Sequence, residues 1–158
     1  MVAAAFDERL MGAPVVTGGG GMGAYRFAGP RKSETLDIMQ KKYPNWFSPN
    51  LHEFWGQPEK LPFDQHWFIS MCAPRAFIAL EGLQDRNVNK VGVRKAYEGA
   101  RGAFEMLGAP ERLGINWIDR PHAMTPGDWE AMMQFAEKTL NGKKVEKPFG
   151  QWPVEAGK

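Results

Sequence analysis

Ala76-Phe77-Ile78-Ala79-Leu80-Glu81 is a continuous apolar run, launched after Pro74 and stopped by Gly82. Apolar side chains on successive positions need cover on both faces, so the run predicts a central parallel strand. Downstream, Val93, Ala96, Tyr97, Ala100, Phe104 and Leu107 recur at helical spacing and are closed by Gly108 and Pro110. Gly114-Ile115-Asn116-Trp117-Ile118 is a further short strand, and a last helix begins with Thr125 as N-cap and Pro126 at its first position. That helix is expected to bury Trp129, Met132 or Met133, Phe135, Ala136 and Leu140, and to end at Asn141-Gly142.

Upstream, Ala13-Pro14-Val15-Val16-Thr17 reads as a strand running into Gly18-Gly19-Gly20-Gly21, with irregular chain to residue 33. Glu34 to Lys42 reads as a short helix with Leu36, Ile38 and Met39 inward. Residues 43–66 carry Pro and aromatics together (Trp46, Phe47, Phe54, Trp55, Phe63), too irregular for a sheet and too apolar for disorder. They are expected to form a packed excursion over a cleft. Strands alternating with helices give an α/β class: a parallel sheet with flanking helices.

A length of 158 residues allows one domain, and 43% hydrophobic residues are enough for one core. The 20 basic and 18 acidic residues are scattered, with no stripe for phosphates, which argues against nucleic acid as a partner. No run of about 18 apolar residues exists to span a membrane. One cysteine, Cys72, excludes an intrachain disulfide and a multi-cysteine metal site, and its apolar surroundings predict a buried thiol. Met1-Val2-Ala3-Ala4-Ala5-Phe6 lacks a basic stretch ahead of it, so it reads as a helix already under way and not as a signal peptide.

Two polar features sit at strand ends, where open α/β sheets place ligands. Gly82-Leu83-Gln84-Asp85 follows one strand and Asp119-Arg120-Pro121-His122 the next. Alone, Asp85 reads as a helix N-cap or turn residue, and His122 as a surface histidine. Together they stand in the order acid, then histidine, that ends the Ser…Asp…His succession of α/β-hydrolases. In such a triad the imidazole takes the nucleophile's proton, and the carboxylate fixes its tautomer and stabilises the imidazolium. No Gly-x-Ser-x-Gly elbow is present, because Ser33, Ser48 and Ser70 all lack flanking glycines. The expected fold is therefore the C-terminal half of an α/β-hydrolase, with the nucleophile-elbow half missing.

Gly18-x-Gly20-x-x-Gly23 matches a dinucleotide fingerprint on paper, but Gly29 and Pro30 break the helix that should follow. The glycines are expected instead to let the backbone turn closely beneath the site. His66 is expected to be buried and bonded to Asp64 or to backbone, and His52 to lie on the surface. No metal-ligand spacing links the three histidines, so no metal is expected.

Ala5-Phe6-Asp7-Glu8-Arg9, the glycine-rich turn, Ser33-Glu34-Thr35-Leu36, Trp46-Phe47-Ser48, Leu61-Pro62-Phe63-Asp64-Gln65-His66, Ala73-Pro74-Arg75 and His122 occur in one order. In that order the chain resembles the C-terminal part of the glucuronoyl esterases (carbohydrate esterase family 15), bacterial members especially, over residues 2–142. The resemblance implies a cofactor-free ester hydrolase cleaving 4-O-methyl-glucuronic acid esters between glucuronoxylan and lignin. It also implies a secreted or periplasmic setting and a serine on a Gly-x-Ser-Arg-x-Gly-Lys motif upstream of the Phe-Asp-Glu-Arg block. Fungal members carry their acid in the glycine-rich turn. Here Val15-Val16-Thr17-Gly18 has no carboxylate, and the role passes to Asp85. The tryptophan that often follows that acid is replaced by Arg86-Asn87. Glu34 is the candidate substrate-side carboxylate, with a helix-start glutamate as the other reading.

Residues 1–142 are thus expected to form a partial hydrolase domain, with 143–158 a loose tail. Partners expected are the glucuronoyl-ester polysaccharide and either a missing N-terminal half or a second copy. The alternatives are a non-catalytic glucuronoxylan-binding relative and a decayed or truncated gene product.

Overall fold

The structure, a computed structural model, describes residues 1–16, 23–27 and 33–152. The glycine run at 18–21, expected to turn beneath the site, lies outside the described residues. In chain order the elements are α1 (Val2–Phe6), β1 (Gly12–Val16), α2 (Leu36–Lys42), α3 (Gln65–Ser70), β2 (Ala76–Gly82), α4 (Lys90–Met106), β3 (Leu113–Ile118) and α5 (Pro126–Thr139). Short 3₁₀ turns occupy Pro44–Trp46, Pro49–Phe54 and Pro58–Lys60, each opened by a proline whose fixed φ suits the first turn.

The described strands form one parallel sheet in the order β1-β2-β3. Leu80 of β2 stands opposite Val16 on one side and Asn116 on the other. All seven residues of β2 are buried, as its unbroken apolar run requires. Phe77 and Ala79 enter a core with Ile69, Val93, Ala96, Ala100 and Phe104, while Ala76, Ile78 and Leu80 meet Ala131 and Phe135 of α5 on the opposite face. Each fully buried Phe or Leu in such a core contributes about 1.5–3 kcal/mol by leaving water.

The stripe expected for α4 is buried through Phe104, but Leu107 is half exposed. Leu107 is already the C-cap residue, and Gly108 then turns the chain at φ 68°. In α5 the buried positions are Asp128, Ala131, Phe135 and Thr139, whereas Trp129, Met133 and Leu140 are exposed. The sequence supplied apolar residues all around this helix. Its rotation is set by Asp128 at one end and by Phe135 seated over Gly114, where an added Cβ would lie 2.5 Å from the ring's Cε2. Inside the stretch expected as an irregular excursion, Asp64 caps α3. It accepts from the backbone N–H groups of Gln65, Tyr25 and Arg26 at 2.7, 2.8 and 3.2 Å.

Of the tail expected to be loose, Phe149, Gly150 and Trp152 touch the rest of the chain, while residues 143–148 are mostly exposed. Gly150 N–H donates to the Ile115 carbonyl of β3 at 3.0 Å. Phe149 meets Phe135 edge-on, and Trp152 packs against Tyr97 and Trp117. The tail therefore covers the outer side of β3. On the β1 side, a groove of about 250 Å³ is lined by Gly12, Pro14, Ile78, Met132, Phe135 and Leu140. No helix among the described residues is long and apolar enough to cross a membrane.

Candidate active site

The C-terminal ends of β2 and β3 lie side by side, and the loops that follow are knitted together by backbone. Leu83 N–H donates to Ile118 O at 2.8 Å, and Gln84 N–H to Arg120 O at 3.0 Å. An added Cβ at Gly82 would lie 2.7 Å from Arg120 O and 2.8 Å from Pro121 O, so only glycine lets the loops approach this closely.

Asp85 and His122, 37 residues apart, meet in this junction. His122 Nδ1 stands 2.8 Å from Asp85 Oδ2, and Asp85 Oδ1 accepts from Asn87 N–H at 2.9 Å. The Asp85 side chain is 1% exposed and that of His122 is 63% exposed, which puts a buried carboxylate behind an imidazole open to solvent. An ionised carboxylate only accepts, so Nδ1 carries the proton in the neutral ring and Nε2 is the basic nitrogen. Of the two plain readings of Asp85, the helix N-cap fails, because Asn89 takes that place with its side-chain oxygen accepting from Gly92 N–H at 3.0 Å, and the turn residue holds, through the bond from Asn87 N–H.

Glu34 is brought to the same loop. Its backbone N–H donates to Asn87 O at 2.8 Å, and the residue is half-buried. Thr35 next to it is the N-cap of α2, so the residue at the helix start is Thr35 and Glu34 precedes it. The other candidates lie elsewhere. Asp64 accepts from backbone donors, and His66, expected to be buried against it or against backbone, is only half-buried. His66 instead packs on Gly99, whose added Cβ would be 3.1 Å from the ring. His52 is exposed beside Trp55.

Cys72 is buried, its Sγ 3.3 Å from Phe68 O, and burial pushes the thiol up from its ordinary value. Ser48 caps a 3₁₀ turn through Asn50 N–H, and the Ser70 hydroxyl donates to His66 O at 2.8 Å. Ser33 is fully buried. Among the described residues no group of three or more His, Cys, Asp or Glu could hold a metal ion.

Sequence reasoning missed Arg120 and Asp128, both buried beneath the His122 loop. The available signal was an aspartate three residues after Thr125, the spacing of a capping box. An arginine in the loop gives no local sign that it turns inward.

Three comparisons with known proteins bear on the chain. The family described as "Glucuronyl esterase, fungi" matches residues 1–108. A carbohydrate esterase from an unknown prokaryotic organism is 29% identical over 155 residues, covering 89% of this chain and 35% of the relative. A 4-O-methyl-glucuronoyl methylesterase from Podospora anserina is 29% identical over 150 residues, covering 89% of this chain and 31% of the relative. Among solved structures, a family 15 glucuronoyl esterase from Caldicellulosiruptor kristjansonii superposes with a TM-score of 0.88 at 31% identity. That match covers 98% of this chain and 44% of the other. The chain spans about a third of the length of the curated relatives it matches.

Proposed function

Since the chain belongs to the glucuronoyl esterase family (carbohydrate esterase family 15), we propose that it supplies the histidine and acid of a serine-type ester hydrolase. The proposed substrates are esters of 4-O-methyl-glucuronic acid in glucuronoxylan–lignin, met outside the cytoplasm. The observation that carries the reading is the 2.8 Å bond between His122 Nδ1 and the buried Asp85 carboxylate at adjacent strand ends. His122 Nε2 takes the proton of the attacking serine Oγ as the tetrahedral intermediate forms, then returns it to the departing alcohol. A second pass, with water as nucleophile, releases the acid. Asp85 holds the ring and stabilises the transient imidazolium. Glu34, anchored to the Asp85 loop, serves as a substrate-side carboxylate.

The serine belongs to polypeptide outside these 158 residues, since Ser33, Ser48 and Ser70 lack the glycines of a nucleophile elbow. Residues 1–142 then form the C-terminal part of the hydrolase domain, and the apolar groove beside β1 receives the rest of the fold. The absent elbow also favours a second reading, a non-catalytic relative that binds glucuronoxylan.

The test has two arms. An in-frame Gly-x-Ser-x-Gly ahead of Met1 in the encoding gene is expected. The longer product should hydrolyse methyl 4-O-methyl-glucuronate, with loss of about 10⁴-fold or more in His122→Ala. A gene that starts at Met1, whose product binds glucuronoxylan without turnover, favours the binder. Turnover by the 158-residue chain itself, abolished by His122→Ala, refutes the external serine and keeps the His122 role.

A further inference from the structure

His122 is the exposed member of the pair, its side chain 63% exposed against 1% for Asp85. Where its ring can reach depends on how the backbone that carries it is fixed. The group that fixes it is Arg120, two residues earlier and 2% exposed. Its Nη1 donates to Pro121 O at 2.8 Å and to His122 O at 3.4 Å. Its Nη2 donates to Leu80 O at 3.0 Å and to Asp128 Oδ1 at 2.9 Å, and Nε lies 2.7 Å from Asp128 Oδ2. One guanidinium thus joins the strand that leads to Asp85, the loop that carries His122 and the first turn of α5. The carbonyls of Pro121 and His122 both accept from this one buried guanidinium. Only a planar fork with five N–H groups serves this many acceptors from one buried stem; a lysine ammonium is a point charge with three donors.

We infer that Arg120 is a positioning residue: through the backbone of Pro121 and His122 it sets the imidazole on Asp85. The inference rests on the His122–Asp85 pair proposed above and adds a device that holds it. The competing role is purely structural, in which the Arg120–Asp128 ion pair stabilises α5 and the ring finds Asp85 regardless.

Tautomer populations of the histidine rings separate the two. The chain has three histidines, so long-range ¹H–¹⁵N spectra of the ¹⁵N-histidine-labelled protein are simple, and His122→Gln assigns the signal of interest. A neutral imidazole in water favours the Nε2–H form, whereas a carboxylate accepting at Nδ1 selects the Nδ1–H form. The wild-type His122 should be in the Nδ1–H form, and Asp85→Asn should shift it toward Nε2–H.

Arg120→Lys should shift it nearly as far while the remaining spectrum stays native. Gly82→Ala, which pushes on Arg120 O, on Pro121 O and, at 3.0 Å, on the Nη1 that holds the Pro121 and His122 carbonyls, should do the same. Gly82→Ala also decides the matter if the lysine variant does not fold. Native Arg120→Lys and Gly82→Ala proteins that both keep the wild-type tautomer overturn the inference and leave the pair standing. An unchanged His122 in Asp85→Asn overturns the pair itself, and the inference with it.

Discussion

Replacing Asp128 by asparagine changes one atom of a buried carboxylate that has four donor atoms around it. Oδ1 takes Arg120 Nη2 at 2.9 Å, while Oδ2 has Arg120 Nε at 2.7 Å and the Thr125 N–H and hydroxyl at 2.8 Å each. The amide removes the charge and turns an NH₂ group toward donors on whichever side it lies. Both partners are essentially inaccessible, at 0% for Asp128 and 2% for Arg120. Breaking such a pair costs about 3–5 kcal/mol, because the surviving charge stays buried. The capping interaction at Thr125, about 1 kcal/mol on its own, shares the same oxygen and is counted within that range.

The expectation is a loss of about 4 kcal/mol at neutral pH, read by urea unfolding. At about 2–4 °C per kcal/mol for a chain of this size, the melting temperature should fall by roughly 8–16 °C. The pH dependence has a definite sign. Burial alone raises the Asp128 carboxyl. The Arg120 guanidinium and the two Thr125 bonds outweigh it and hold the group below its ordinary 3.8. A depressed carboxyl contributes stability that is complete above its unfolded value and is lost as pH falls through its folded value. The gap between wild type and Asp128→Asn should therefore be constant from pH 5 to 7 and narrow below about pH 4. A loss under 1 kcal/mol at neutral pH, or a gap that stays flat in acid, would refute the reasoning.

Gly114→Ala places a methyl 2.5 Å from Phe135 Cε2. It should destabilise by about 1–3 kcal/mol, partly restored by Phe135→Leu in a double-mutant cycle; strict additivity would contradict the contact. Trp152→Ala should cost about 1–3 kcal/mol in urea unfolding, less than a fully buried tryptophan because Trp152 is only partly covered, and a neutral result would mean the tail does not pack. Cys72, buried and with its thiol pushed up by burial, should resist iodoacetamide in the native protein and react fully after denaturation; rapid native labelling would contradict its placement.

What was legible in the sequence was local. The apolar run of β2, the stripe of α4 and the Thr125-Pro126 start of α5 are set by backbone periodicity and by caps, which act over a few residues. The order of an acid and a histidine after successive strands was legible too, because parallel strands put their C-terminal ends on one side of the sheet. Not legible were the rotation of α5, the hidden helix capped by Asp64 and the contacts of Phe149, Gly150 and Trp152. Each depends on a partner distant in sequence: Phe135 on Gly114, Asp64 on Tyr25 and Arg26, Gly150 on Ile115.

The sequence by itself determined the element types, α3 excepted, and placed Asp85 and His122 at neighbouring strand ends. Only the tertiary structure decided that Asn89, and not Asp85, caps the next helix, which leaves the Asp85 carboxylate to His122. It alone turned Arg120 inward, since whether a charge is solvated or buried depends on the counter-ion and carbonyls that other segments bring to it. Asp128 and Leu80 bring them here, across 8 and 40 residues of chain.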